Sequence, residues 1–67
     1  MLTPEKKFEL IKTLIESGTV VRTYYRPRRI VKVEKVLDSY IAITYENGDT
    51  DRMHVRDFGR RRFVAII

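Results

Sequence analysis

The hydrophobic period of the chain changes at Gly18, and this change does most to limit what it can fold into. Before Gly18, the residues Phe8, Ile11 and Ile15, with Leu10 and Leu14, recur at spacings of three and four and form one apolar stripe on a helix. Thr3 suits the N-cap, Pro4 the first helical position and Glu5 the positive end of the helix dipole. Gly18 suits the left-handed residue that closes a helix. A helix is expected over about 4–17.

After Gly18 the period is two. "TVVRTYY" is rich in β-branched and aromatic residues and predicts a first strand. Pro27 cannot donate to a ladder and marks a turn or strand end near 26–28. "RIVKVEKVL" predicts a second strand with Val31 and Val33 on one face. Its alternation breaks near Lys35, where the adjacent Val36 and Leu37 point to a bulge or bend. Asp38 and Ser39 make a short turn, and "YIAITYE" a third strand with Ile41, Ile43 and Tyr45 on one face.

"ENGD" is the clearest hairpin signal in the chain. A two-residue Asn47-Gly48 turn would set Ile41 against His54. A three-residue loop of Glu46-Asn47-Gly48, with Gly48 in a bulge, sets Ile41 against Met53 and puts Val55 on the same apolar face. A slip of one residue reverses every side chain, so burial selects the bulged turn. "VRDFG" reads as a short turn or a single 3₁₀ turn, and "RRFVAII" as a last strand. Tyr45 and one of Tyr24 and Tyr25 are expected to pack inside, the other of that pair facing away beside Arg22 or Arg26.

These elements predict one domain over residues 1–67, mainly β with a single N-terminal α-helix. Five short antiparallel strands in so few residues are expected to curl into a small SH3-like barrel over about 19–66, limiting exposed edges, with the helix across one open end. A 67-residue chain buries only roughly 60% of the surface it exposes when unfolded. It has no cysteine, so neither disulfides nor a thiolate metal site can compensate. Compact packing or self-association must do so.

The chain start lacks the uninterrupted apolar core of a signal peptide, and no run approaches the roughly 18 apolar residues of a membrane span. A soluble, cytoplasmic protein without a membrane partner is expected. Catalysis has little to stand on: there are two serines, one histidine and no phosphate-cradling glycine loop among three scattered glycines. His54 alternates away from Met53 and Val55 and is expected on the outside, and Asp49 and Asp51 fall in or beside a solvated hairpin tip. No enzyme, cofactor or metal is expected.

The net charge is +5 and the pI about 9.9, above the rough threshold of 9 for a nucleic-acid-binding domain. The excess is patterned. Residues 18–35 carry six cations and one anion, residues 36–51 only anions, and residues 52–62 five arginines against Asp57. "RTYYRPRR" sets Arg22, Arg26, Arg28 and Arg29 around Tyr24, Tyr25 and Pro27, and "GRRR" adds Arg60, Arg61 and Arg62. Arginine meets phosphate with two parallel bonds and stacks on bases. An exposed tyrosine among arginines suits base stacking, or equally a cross-strand aromatic pair that needs no ligand. A basic edge strand also guards a sheet against aggregation.

The order of a helix and then five strands is similar to the Sm-like subset of small barrels, and the chain resembles the WYL domain of bacterial and phage regulators over about residues 19–58. "SYIAI" stands where that family's Trp-Tyr-Leu strand would be, matching in Tyr40 and Ile41, and "MHVRDF" matches a later segment in Met53, Val55 and Phe58. The resemblance implies a regulatory barrel that binds nucleic acid or a nucleotide-like ligand. Together with the charge it leads to the expectation of a small basic protein holding DNA or RNA chiefly by its phosphates. The contacts would be Arg26, Arg28 and Arg29, helped by Arg22 and Arg60 to Arg62, with Tyr24 or Tyr25 stacking. Two alternatives use the same features. One is an interaction module, such as a small phage or mobile-element protein docking on an acidic partner protein; the other is a homo-oligomeric structural subunit pairing through "FVAII".

Overall fold

In the computed structural model, which describes residues 2–66, the apolar stripe folds as helix α1, Pro4–Glu16. Thr3 caps it by accepting the Lys6 N–H on its hydroxyl oxygen (3.2 Å). At the other end Gly18, at φ 88°, donates its N–H to the carbonyl of Ile15 (3.1 Å), and Thr19 donates to that of Leu14 (2.9 Å). This pair of bonds satisfies carbonyls that the helix itself leaves open. Phe8 and Ile11 are buried, Leu14 and Ile15 half-buried, and Leu10 is exposed beside the stripe.

Five strands follow: β1 (Val20–Thr23), β2 (Arg29–Val36), β3 (Tyr40–Tyr45), β4 (Thr50–His54) and β5 (Phe63–Ile66). They form one open antiparallel sheet in the order β4-β3-β2-β1-β5, with β4 and β5 as its two edges. The hairpin takes the register that burial selects. Ile41 lies opposite Met53, Gly48 sits at φ 92°, and the Tyr45 N–H donates to the carbonyl of Asp49 (2.8 Å). Ile41, Ile43 and Tyr45 are all buried.

Strand β2 departs from the expected phase. The ladder runs from Ile30–Tyr45 to Lys32–Thr44, so Val31 is the extra residue of a bulge. Ile30 and Val33 are therefore the buried pair and Val31 turns out to solvent. Beyond the bulge the alternation holds through Lys35, which lies opposite Ile41 with its ammonium 5.8 Å from the Phe8 ring centre. No break occurs at Lys35. The adjacent Val36 and Leu37 are separated instead by the strand end, because Leu37 opens the next turn at φ 58° and is exposed.

"VRDFG" is more than a turn. It lies in a six-residue helix, α2, Val55–Arg60. His54 supplies the reason, because its Nδ1 accepts the Arg56 N–H (3.1 Å) and caps the helix. At the far end the Lys7 ammonium donates to the carbonyls of Gly59 (3.1 Å) and Arg61. Burial holds the Lys7 pKa below the ordinary lysine value. Phe58, fully buried, meets Phe8 edge to face at 6.2 Å and lies 5.0 Å from Phe63. Val55 and Phe63 pack at the margin of the same core. Both helices thus cover the inner face of the sheet, and Gly59 lets them meet: a Cβ there would lie 2.9 Å from Pro4 Cγ.

Candidate functional site

The stretch "RTYYRPRR" is divided by the fold. Arg22 is in β1 and Arg29 opens β2 directly opposite it. The residues between form an irregular loop organised by Thr23. Its backbone N–H donates to the carbonyl of Arg28 (3.1 Å), and its hydroxyl oxygen accepts the Arg28 N–H (3.1 Å). The same hydroxyl lies within hydrogen-bond reach of the Tyr25 and Arg26 carbonyls, and Arg26 adopts φ 47°. Because β1 ends at Thr23, neither loop tyrosine alternates into the core. Tyr24 and Tyr25 are 51% and 79% exposed, so the expectation that one of them packs inside is overturned. They touch each other edge to face at 5.3 Å.

Two of the three arginines expected to lead the contacts have carboxylate partners. Arg28 bonds Asp49 at 3.0 Å, and its guanidinium carbon lies 3.8 Å from the centre of the Tyr45 ring. Arg29 bonds Glu46 at 3.1 Å. Asp49 is in turn fixed by Asn47, whose amide donates to it at 3.1 Å. The hairpin tip is therefore a clasp for the first basic block as well as a solvated turn. Arg22 and Arg26 form no ion pair among the described residues.

The second basic block joins the first through the tyrosines. Tyr24 donates its backbone N–H to the carbonyl of Arg62 (3.0 Å), and the Arg62 guanidinium lies 5.7 Å from the Tyr24 ring centre. Tyr24 and Tyr25 share a cleft of about 170 Å³ with Thr23 and with Arg60, Arg61 and Arg62. These arginines do not alternate along a strand: Arg60 ends α2, Arg61 caps it and Arg62 precedes β5. None of the three forms an ion pair among the described residues.

A wider groove of about 630 Å³ lies along β4 and α2 and was not apparent from the sequence. Arg60 and Arg61 line it too, facing Tyr40, His54, Asp51 and Asp57. Tyr40 and His54 pair edge to face at 5.5 Å. Asp51 accepts the Arg52 N–H (2.9 Å) and lies 3.5 Å from the Tyr45 hydroxyl. Burial, then the neighbouring Asp51 charge, hold the Tyr45 pKa above the ordinary tyrosine value. Among the described residues no cluster of three or more histidine, aspartate or glutamate side chains could hold a metal ion, and no helix is long and apolar enough to cross a membrane.

Comparison of the chain with protein-family models, curated proteins and solved structures gave no match.

Proposed function

We propose that the protein binds nucleic acid through its phosphates, in a regulatory rather than catalytic role, at the surface formed by Tyr24, Tyr25 and Arg60 to Arg62. The observation that carries this is the shared cleft: two exposed tyrosines beside three arginines that form no ion pair among the described residues, brought together from distant parts of the chain. Guanidinium groups take phosphate oxygens while a tyrosine face takes a base. Arg22 and Arg26 extend the positive surface; Arg28 and Arg29 contribute less, because Asp49 and Glu46 already neutralise them. We further infer that the open sheet curls as a small SH3-like or Sm-like barrel. In support, β1 to β4 each pair with the next strand, β5 returns to the free side of β1, and α2 bridges from β4 towards β5.

Fluorescence anisotropy with single- and double-stranded DNA and RNA across a salt series tests the function. Log affinity should fall linearly with log salt. Reversing Arg60, Arg61 and Arg62 to glutamate should lower affinity more than about tenfold, since each lost phosphate contact is charge-assisted. Unchanged affinity in that variant would refute the site, and no binding to any of the four forms would refute the function.

A specific observation favours one alternative, self-association. The β5 edge borders an apolar groove lined by Leu2, Leu10, Leu14, Phe63 and Ala65, and Val64 and Ile66 are exposed. A concentration-dependent mass in solution would establish it.

A further inference from the structure

We infer that the groove along β4 is a base-reading subsite, selective for bases that carry an exocyclic amino group. This rests on the nucleic-acid reading above and adds to it a choice of base. Arg60 and Arg61 line both this groove and the tyrosine cleft, so one strand can pass from one to the other without leaving guanidinium contact. The two recesses differ in sign. Among the described residues the tyrosine cleft holds no carboxylate, whereas the groove holds Asp51 and Asp57.

A phosphate is repelled by those carboxylates, so a bound backbone keeps to the arginine side and turns its bases towards Asp51 and Asp57. A carboxylate only accepts hydrogen bonds, and the natural base donors facing it are amino groups such as cytosine N4 or adenine N6. Uracil and thymine offer one N–H between two carbonyl oxygens, which the carboxylate repels. Asp57 has no hydrogen-bond or ion-pair partner for its side chain among the described residues, leaving it available. The exposed Tyr40, braced edge-on by His54, offers a stacking face beside it. With Nδ1 committed to the α2 cap, His54 presents Nε2–H as a further donor.

Anisotropy of labelled 12-mers of dC, dA and dT tests this, with circular dichroism to verify folding of each variant. The wild type should bind dC and dA roughly fivefold or more tighter than dT, as one good base contact provides. Asp57→Ala, at an exposed position, should narrow the difference between dC and dT at least twofold, since it removes the unpartnered one of the two carboxylates. Wild-type binding of dC and dT within twofold, or an unchanged ratio in Asp57→Ala, would overturn the inference while leaving the nucleic-acid reading standing. Absence of binding to every 12-mer would overturn the inference, and the nucleic-acid reading falls with it only if duplex DNA and both RNA forms also fail to bind.

Discussion

Tyr24 and Arg62 are locked side by side by a 3.0 Å bond from the backbone N–H of one to the carbonyl of the other. The bond continues the β1–β5 ladder one residue past Thr23–Phe63. It fixes the two backbones side by side, which keeps the Tyr24 ring and the Arg62 guanidinium within reach of one another. The two arginine-rich segments meet because β1 and β5 are neighbours in the sheet.

The clasp at the hairpin tip should restrain binding. Replacing Asp49 with Asn and Glu46 with Gln releases Arg28 and Arg29 for phosphate. Affinity for a single strand should rise, and the log–log salt slope should steepen by up to about 1.4, at roughly 0.7 per added contact. A salt titration of the double variant against wild type measures both.

Gly59→Ala should destabilise the protein by about 1–3 kcal/mol, as overpacking does. The new methyl would meet the Pro4 ring, which cannot swing aside as a flexible side chain would. Urea unfolding reads the loss, and weaker nucleic-acid binding should accompany it because Arg60 to Arg62 follow directly.

Phe58→Ala should be more severe. The ring is fully buried between Phe8 and Phe63, and a cavity of this kind costs about 3–5 kcal/mol. Against the marginal stability of so small a domain, the variant should be largely unfolded at 37 °C by circular dichroism.

Thr23→Val preserves shape and removes the hydroxyl that accepts the Arg28 N–H and lies beside the Tyr25 and Arg26 carbonyls. The loss should be about 1 kcal/mol, typical of one net hydrogen bond. Hydrogen exchange should quicken at Arg28 first, with the helices unaffected.

Tyr45 gives a pH dependence. Its folded pKa is raised, so the native state holds the proton after the unfolded chain has released it. The resulting stability is complete below about pH 10, the unfolded tyrosine value, and is lost as pH rises through the folded value. Lys7 acts with the opposite sign, since its lowered pKa lets stability rise with pH in the alkaline range. Comparing wild type with Tyr45→Phe cancels the lysine contribution. The melting temperature of wild type should fall relative to the variant above pH 10.

The parts of the fold legible in the sequence were those fixed by local chemistry. Thr3, Pro4 and Gly18 bound α1, and Gly48 with the burial of Ile41 and Met53 chose one hairpin register over another. The Val31 bulge was not legible, because plain alternation of "RIVKV" puts Val31 and Val33 on one face; only the pairing of Ile30 with Tyr45 and of Lys32 with Thr44 inserts the extra residue. Helix α2 was missed because its cap is a histidine and its C-terminal carbonyls are satisfied by Lys7, far away in the chain. For the site, the arginine and tyrosine types were legible and their use was not. Only the tertiary fold pairs Arg28 and Arg29 with Asp49 and Glu46, and leaves Arg60 to Arg62 unpaired among the described residues. The acidic block at 36–51 held the one available hint, since opposite blocks flanking a hairpin tend to meet.

The reach of Lys7 to Gly59 and Arg61, and the pairing of β1 with β5, bear on how the chain acquires its structure. A nascent chain ending near residue 50 holds α1 and three strands, but lacks Phe58 and the segment that pairs with the second side of β1. Its apolar face is covered by α1 alone until α2 has been made. The sheet is therefore completed only with its last strand, through contacts of long sequence separation between β1 and β5. During that interval Val20 to Thr23 present an unpaired edge to any neighbouring chain.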